Sequence, residues 1–595
     1  MSESNKDDLK HPPINLVICW HMHQPYYRDG LNGEYVLPWV YLHGIKDYDD
    51  MAAHFERYPS MRAVVNFAPV LLEQLHDYSE QINEFLTHDT AMTDPILNLL
   101  AGVTPIPDDI ELRKKIISDC SRAHAPKMIE PYPKFKALFD IYNCTHEEQE
   151  CGCDTVVKYL GKKFFIDLLT WYHLAWLSHS LKQRSDVQKL IAKGGGFTKH
   201  DRCDLIQIIG SAIQGIIPRY KALADRGQIE ISMTPYGHPI IPLLNSFDNM
   251  IPAQPESPMP IHPNYPHGRK RSLWHLQHGL AVFEKFFKRQ PKGVWLSEGG
   301  VSEDAIELLN EMGIAWTATG EAVWHNSRRA ALLSDTFQQS SEVASAEASD
   351  VDGRKKLFMP YRLKEYQPQL FFRDDGLSDL IGFEYSDWHS DDAVANFVHN
   401  LNNIRKSLGE QADEHVVSVI LDGENAWEYY PENGHYFLDN LYKTLTESDA
   451  VSVKTFTDIT QQVGHHVGQL NSIVPGSWVY GSFSTWIGDE EKNYAWDLLV
   501  QAKQHWDEVI ASGKLSEDEE AEAIQQLAIC EGSDWFWWFG DYNPSDSVSD
   551  FDKLYRRQLT RLYQLLGEEP PEMLQYPISE GGGNSENSGT MRRNG

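Results

Sequence analysis

Short runs of β-branched and aliphatic residues recur along this chain, each too short for a helix and too continuous for a half-exposed strand. They are INLVICW (14–20), AVVNF (63–67), IEISM (229–233), GVWL (293–296), IAWTAT (314–319), QLFFR (369–373) and VVSVIL (416–421). An uninterrupted apolar run marks a strand covered on both faces, as in a parallel sheet flanked by helices. Long helix-like stretches separate the runs, so the chain reads as right-handed βαβ units, α/β in class, with a barrel as the first choice. The gap between the second and third runs is too long for one crossover. It holds amphipathic stretches such as KFFIDLLTWYHLAWLSHSL, which predict a helical insertion at about 110–225.

Beyond about residue 455 strand-like runs become rare. YAWDLLVQAKQHWDEVIASG, SEDEEAEAIQQLAIC and SDFDKLYRRQLTRLYQLLG read as helices, so a C-terminal helical domain (456–570) is expected to follow a catalytic domain (13–455) and complete its cleft. Residues 1–12 are expected to be flexible, and 571–595 a disordered tail with nothing apolar to bury. The start has no apolar segment of signal-peptide type, and no run approaches a membrane span, so the expected location is cytoplasmic. A net charge of −33 argues against nucleic acid or an anionic membrane as partner, but not against a neutral substrate. Seven cysteines are too few and too scattered for a disulfide scaffold. One cluster, Cys144, His146, Cys151 and Cys153, is compact enough to suggest a metal but matches no zinc spacing, so it reads as a solvated insertion.

Barrels and open α/β sheets build their chemistry at the carboxyl ends of their strands. Polar residues just past the apolar runs are therefore the candidates. After the first run, HMHQP carries His21 and His23, which a strand projects to one face, to bind a metal, to hydrogen-bond a polar ligand or simply to pair in the core. Glu230 sits inside the third run, where a glutamate needs a partner or a function, and His238 follows. The fourth run ends in Glu298 followed by two glycines, which let backbone or substrate approach the carboxylate. The seventh run delivers Asp422 and Glu424, either of which is also able to cap the next helix. Two carboxyl groups facing each other across a sugar suit glycosidic bond cleavage. Trp295, Trp316, Trp388, Trp427, Trp478 and Trp486 lie in or near these loops, where flat rings suit the apolar faces of pyranoses, although core packing is the usual fate of tryptophan.

In order along the chain, HMHQP, GQIEISMTPYGHP, GVWLSEGG, LDGENAWEYYP and WIGDEEKNYAW resemble the five signature regions of glycoside hydrolase family 57, the α-glucan-active family of amylases, amylopullulanases, 4-α-glucanotransferases and branching enzymes. The resemblance covers roughly Asn15 to Gly567. It implies an incomplete (β/α)7 barrel with a helical domain at its mouth, acting on an oligo- or polysaccharide with no metal or other cofactor. It makes Glu298 the nucleophile and Asp422 the acid/base of a retaining hydrolase. It places His21, His23, Glu230, His238, Glu424 and Trp486 along the sugar subsite; Trp295 and Trp427 join the substrate-binding candidates as flat rings in these loops. Three rival readings share these residues: transglycosylation by the same carboxylates, metal-dependent deacetylation through the H-x-H pair, and a non-catalytic glycan-binding relative.

Overall fold

The computed structural model describes residues 11–143, 153–336, 351–462, 466–583 and 590–591. Its strands are β1 (Ile14–Met22), β2 (Ala63–Phe67), β3 (Ile229–Met233), β4 (Trp316–Thr319), β5 (Tyr361–Leu363), β6 (Gln369–Phe372), β7 (Val416–Asp422), β8 (Val451–Lys454) and β9 (Gly468–Leu470). β1 is buried along its whole length and pairs in parallel with β2 on one side and β7 on the other. The register sets His21 against both Asn66 and Asp422. β2 continues to β3, and β4 pairs in parallel with β6.

Single parallel bridges join these two groups. Residues 293–296 link Val294 to Met233 of β3 and Gly293 to Trp316 of β4, and Arg373 meets Ser418 to join β6 to β7. All seven apolar runs of the sequence therefore form one ring, with ladders from β3 through β7 and between β4 and β6, and single bridges at the other three joins. That uneven pairing is the incompleteness of the barrel. The fourth run is bridged rather than fully paired where Gly293 lies flat on the Trp316 indole, a contact that any Cβ would block. β8 wedges beside the first residues of β1, below the point where β2 begins to pair, and splays the ring there. β5 and β9 extend β6 outside it.

The interior is filled by Val17, Cys19, Trp295, Trp316, Phe371 and Ile420 among others, a dry plug that leaves polar chemistry only at the strand ends. Between β2 and β3 lie helices including Ile110–Ser121, Pro133–Asn143, Lys162–Trp176 and Lys199–Asp225, the last opened by a Thr198–Asp201 capping box. The C-terminal region is helical: Glu490–Ser512, Glu517–Cys530, Ser533–Trp538 and Ser545–Leu565. Among the contacts that dock it is a buried cluster in which Glu531 takes Arg271 Nη2 at 2.7 Å, His275 Nε2 at 2.7 Å and the Tyr265 hydroxyl at 2.5 Å. Among the described residues no helix is long and apolar enough to cross a membrane. Cys144, His146 and Cys151 lie outside the described residues, as does the side chain of Cys153.

Candidate active site

The end of β1 projects His21 and His23 to the same side, their rings 5.8 Å apart and nearly parallel, as the two-residue strand period requires. His21 Nδ1–H donates to Asn66 Oδ1 at 2.7 Å, an oxygen that also accepts the Thr234 hydroxyl at 2.8 Å. His21 Nε2 is then the acceptor for His238 Nε2–H at 3.2 Å, and His238 Nδ1 accepts the Ser533 hydroxyl at 2.8 Å. Burial keeps this chain neutral: it lowers the pKa of His21 to about 3 and that of His238 well below the usual histidine range. His23 stacks on His238 with centroids 3.7 Å apart and donates Nε2–H to Asp534 Oδ1 at 2.8 Å. His23, His238 and Asp534 hold three ligand-type atoms within 4.8 Å of one another, a spacing suited to a cation, and hydrogen bonds to Asp534, His21 and Ser533 already engage them.

Glu298 sits in the left-handed region, φ +58°, an unusual conformation for a glutamate that aims its carboxylate away from the strand. Gly299 follows at φ +59°, where a Cβ would come within 2.8 Å of the Trp295 ring. Trp478 fastens the strained residue twice, through its backbone N–H to the Glu298 carbonyl at 3.1 Å and through its indole N–H to Oε2 at 3.0 Å. His238 Nδ1 is 3.9 Å from Oε1, and since His238 is neutral this is a contact and not an ion pair.

Asp422 ends β7 beside His21, with Asn425 Nδ2 donating to Oδ2 at 2.9 Å. Burial pushes its pKa up to about 6, against the opposing pull of the Asn425 hydrogen bond, His23 and Arg373. Glu424 turns to the same cavity. Its Oε1 accepts the His23 backbone N–H at 3.1 Å and Gln24 Nε2 at 3.3 Å, while Oε2 is buried with no hydrogen-bond partner among the described residues. Burial, reinforced by Asp422, raises Glu424 well above the usual carboxylate range. Arg373 is locked by the Ile420 carbonyl at 2.8 Å and by Asp375 and Asp379 at 2.6 Å each, and its guanidinium lies over Trp478, 5.6 Å from the ring centre.

A cavity of about 760 Å³ opens over these groups, lined by His21, His23, Glu298, Arg373, Asp422 and Glu424. Five sequence-predicted residues do not line it. Glu230 is spent inside the barrel, where Trp316 Nε1–H (2.7 Å), the Thr457 hydroxyl (2.6 Å) and the Thr457 N–H (2.9 Å) satisfy it. Trp295 belongs to the barrel plug, Trp427 is buried with its N–H on the Gly423 carbonyl, and Trp486 is buried beside Trp496. His238 supports the site from beneath, fully buried. The aromatic wall is built instead from Trp39, Trp176, Trp478, Trp537 and Trp538. Asp534 and Ser533 are not among the sequence candidates, because their place at the site depends on the docking of helices far along the chain.

A ring of parallel strands carrying a strained, clamped glutamate, an aspartic acid of raised pKa and an aromatic cavity defines a barrel enzyme acting on glycosidic bonds. The chain belongs to glycosyl hydrolase family 57, whose profile matches residues 17–468. Among solved structures it resembles a branching enzyme of this family from Thermococcus kodakaraensis, with 16% identity and a TM-score of 0.53 over 93% of this chain and 90% of that one. It also resembles a branching enzyme from Pyrococcus horikoshii, with 15% identity and a TM-score of 0.54 over 95% and 98% of the two chains. An α-amylase from Thermotoga maritima aligns with 13% identity and a TM-score of 0.52 over 95% and 96%. At these identities the likeness is one of fold. No curated protein matches the chain.

Proposed function

We propose that the protein acts on α-1,4-linked glucans by a retaining double displacement, with Glu298 as nucleophile and Asp422 as acid/base. The observation that carries this is placement. In the ring of seven paired segments, the runs bearing Glu298 and Asp422 stand three steps apart one way and four the other, and both carboxyl groups open on one cavity. A sugar seated between them has one carboxyl group on each side.

Glu298 attacks the anomeric carbon while Asp422, protonated, gives its proton to the leaving oxygen, and the glycosyl ester forms as the glycosidic bond breaks. Water or a second sugar then opens the ester, with Asp422 as base. The negative charge of Glu298 is lost in the ester, which eases ionisation of Asp422 for this second step. His23 and Glu424 line the cavity, where their side chains are placed to meet sugar hydroxyls, and a protonated Glu424 can donate as well as accept. The solved neighbours named as branching enzymes and an α-amylase fit a glucan substrate.

Incubation of maltoheptaose with the wild type and with Glu298→Gln tests the reading. Shorter reducing sugars from the wild type alone are expected. Products longer than the substrate would assign transglycosylation to the same carboxylates. Equal activity of both proteins would remove Glu298 from the mechanism.

A further inference from the structure

One histidine on the cavity wall has no part in the chemistry above. His43 ends the short helix Trp39–His43, and the turn that follows, Gly44–Tyr48, is a π-helix, a form that recurs at functional sites. Across that turn His43 Nδ1 lies 2.7 Å from Asp47 Oδ2, and the Asp47 side chain is wholly buried. Lys46 Nζ meets the other carboxylate oxygen of Asp47 at 2.5 Å, donates to Asn433 Oδ1 at 3.0 Å and stands 5.2 Å from the centre of the Trp176 ring. A buried ion pair contributes little stability over an apolar replacement, so its place directly behind a cavity-lining histidine points to aiming that ring.

The bond to Asp47 decides what the cavity meets. A neutral imidazole keeps its proton on the nitrogen that faces a carboxylate, which leaves Nε2 of His43 as an acceptor. No hydrogen bond among the described residues takes that nitrogen, and the ring, 12% exposed, lines the cavity.

The surroundings of His43 differ from those of the catalytic pair. Its ring meets Trp176 edge-on at 5.5 Å and Trp39 at 6.1 Å, and Trp39 meets Trp176 at 5.7 Å. His21 and His23, beside Asp422, meet each other, His238 and Trp295 instead. No ring contact joins the two sets among the described residues. Yet His43, Trp39, His21 and His23 all line one cavity, whose volume of about 760 Å³ exceeds what a single sugar ring fills.

We propose that His43, aimed by Asp47, is a specificity-determining residue: its Nε2 accepts a hydroxyl of a glucose unit other than the reacting one. This rests on the α-glucan reading of the same site. Chains long enough to reach His43 gain the bond, and a substrate with only the reacting unit does not.

Values of kcat/KM on maltoheptaose and on α-glucosyl fluoride, which carries only the reacting unit, test it in the wild type, His43→Ala and His43→Gln. His43→Ala is expected to lower the maltoheptaose value about tenfold, and to lower it at least about threefold more than the fluoride value. His43→Gln keeps an acceptor and is expected to fall less. Equal falls on both substrates in both variants, which a merely structural role would produce, or no fall in either variant, would overturn the proposal. A wild type inert on maltoheptaose sinks the α-glucan reading and this proposal with it, whereas activity on maltoheptaose with an unmoved ratio sinks this proposal alone. Should the wild type not turn over the fluoride, calorimetric titration of maltoheptaose into Glu298→Gln and Glu298→Gln/His43→Ala decides: binding at least about threefold weaker in the double variant is expected, and equal affinity overturns the proposal. Should His43→Ala fail to fold, its missing thermal transition identifies it, and His43→Gln decides by the same ratio.

Discussion

Trp478 gives two hydrogen bonds to one strained residue, and they have different consequences. The backbone bond holds Glu298 in its left-handed conformation, whereas the indole N–H at 3.0 Å from Oε2 shapes the charge and aim of the carboxylate. Trp478→Phe keeps the first and removes the second. It is expected to lower kcat by about 10- to 100-fold with little change in melting temperature, and steady-state kinetics beside a thermal melt would show it. A variant with unchanged kcat would mean that Trp478 serves only as a wall. Asp422 makes a pH-dependent prediction. A general acid must be protonated, so kcat/KM is expected to fall as pH rises through about 6. The same shift affects stability. The folded-state pKa of Asp422 lies above its ordinary value near 3.8, so the native state loses stability as pH rises from there to about 6 and stays lower above that. Asp422→Asn should therefore melt higher than the wild type above pH ~7, and the gain should vanish in acid. A variant that melts lower at neutral pH would show that the carboxylate stabilises the fold.

The strands and the helices differ in how much of their role the sequence displays. Each of the seven runs lies in the ring because burial on both faces leaves a run that is mostly apolar, and that can be seen one residue at a time. Asp422, Glu298, His21 and His23 were legible for the same reason: they follow the runs directly. Trp295, Trp427 and Trp486 show the limit, since an indole beside a site and an indole in the plug look alike until the inward direction of each side chain is known. The contacts that dock the C-terminal helices were illegible because Arg271 and Glu531 are 260 residues apart and neither stands in a recognisable pattern. Yet this cluster positions Ser533 under His238 and Asp534 against His23. Arg271 and the hydrogen bonds from His275 and Arg271 hold the Glu531 carboxyl at about 2 against the opposing effect of burial. Its folded-state pKa is depressed below the ordinary 4.5, so the stability it contributes is complete above that pH and is lost as pH falls towards about 2. Glu531→Gln leaves Arg271 buried without its counter-charge. The expected cost is about 3–5 kcal/mol in urea unfolding at neutral pH, with activity falling as the histidines lose their supports. A change below about 1 kcal/mol would show that the cluster is not what docks these helices.

The site belongs to the whole molecule. One carboxylate comes from a bridged segment of the ring, the other from a full strand three steps away, and the clamp on the first and the support for the histidines come from residues beyond the last ring strand. The high negative charge of the chain is compatible with this because the proposed substrate is neutral. The most direct test of the account is to trap the intermediate that the arrangement implies. An α-maltosyl fluoride needs no acid to leave, so Asp422→Asn should form the glycosyl ester and then stall for want of a base. Peptide mass spectrometry of the quenched protein is expected to find a maltosyl group on Glu298, and none in Glu298→Gln under the same conditions. A sugar attached to a different carboxylate, or turnover of the fluoride by Glu298→Gln at the rate of the wild type, would contradict the account.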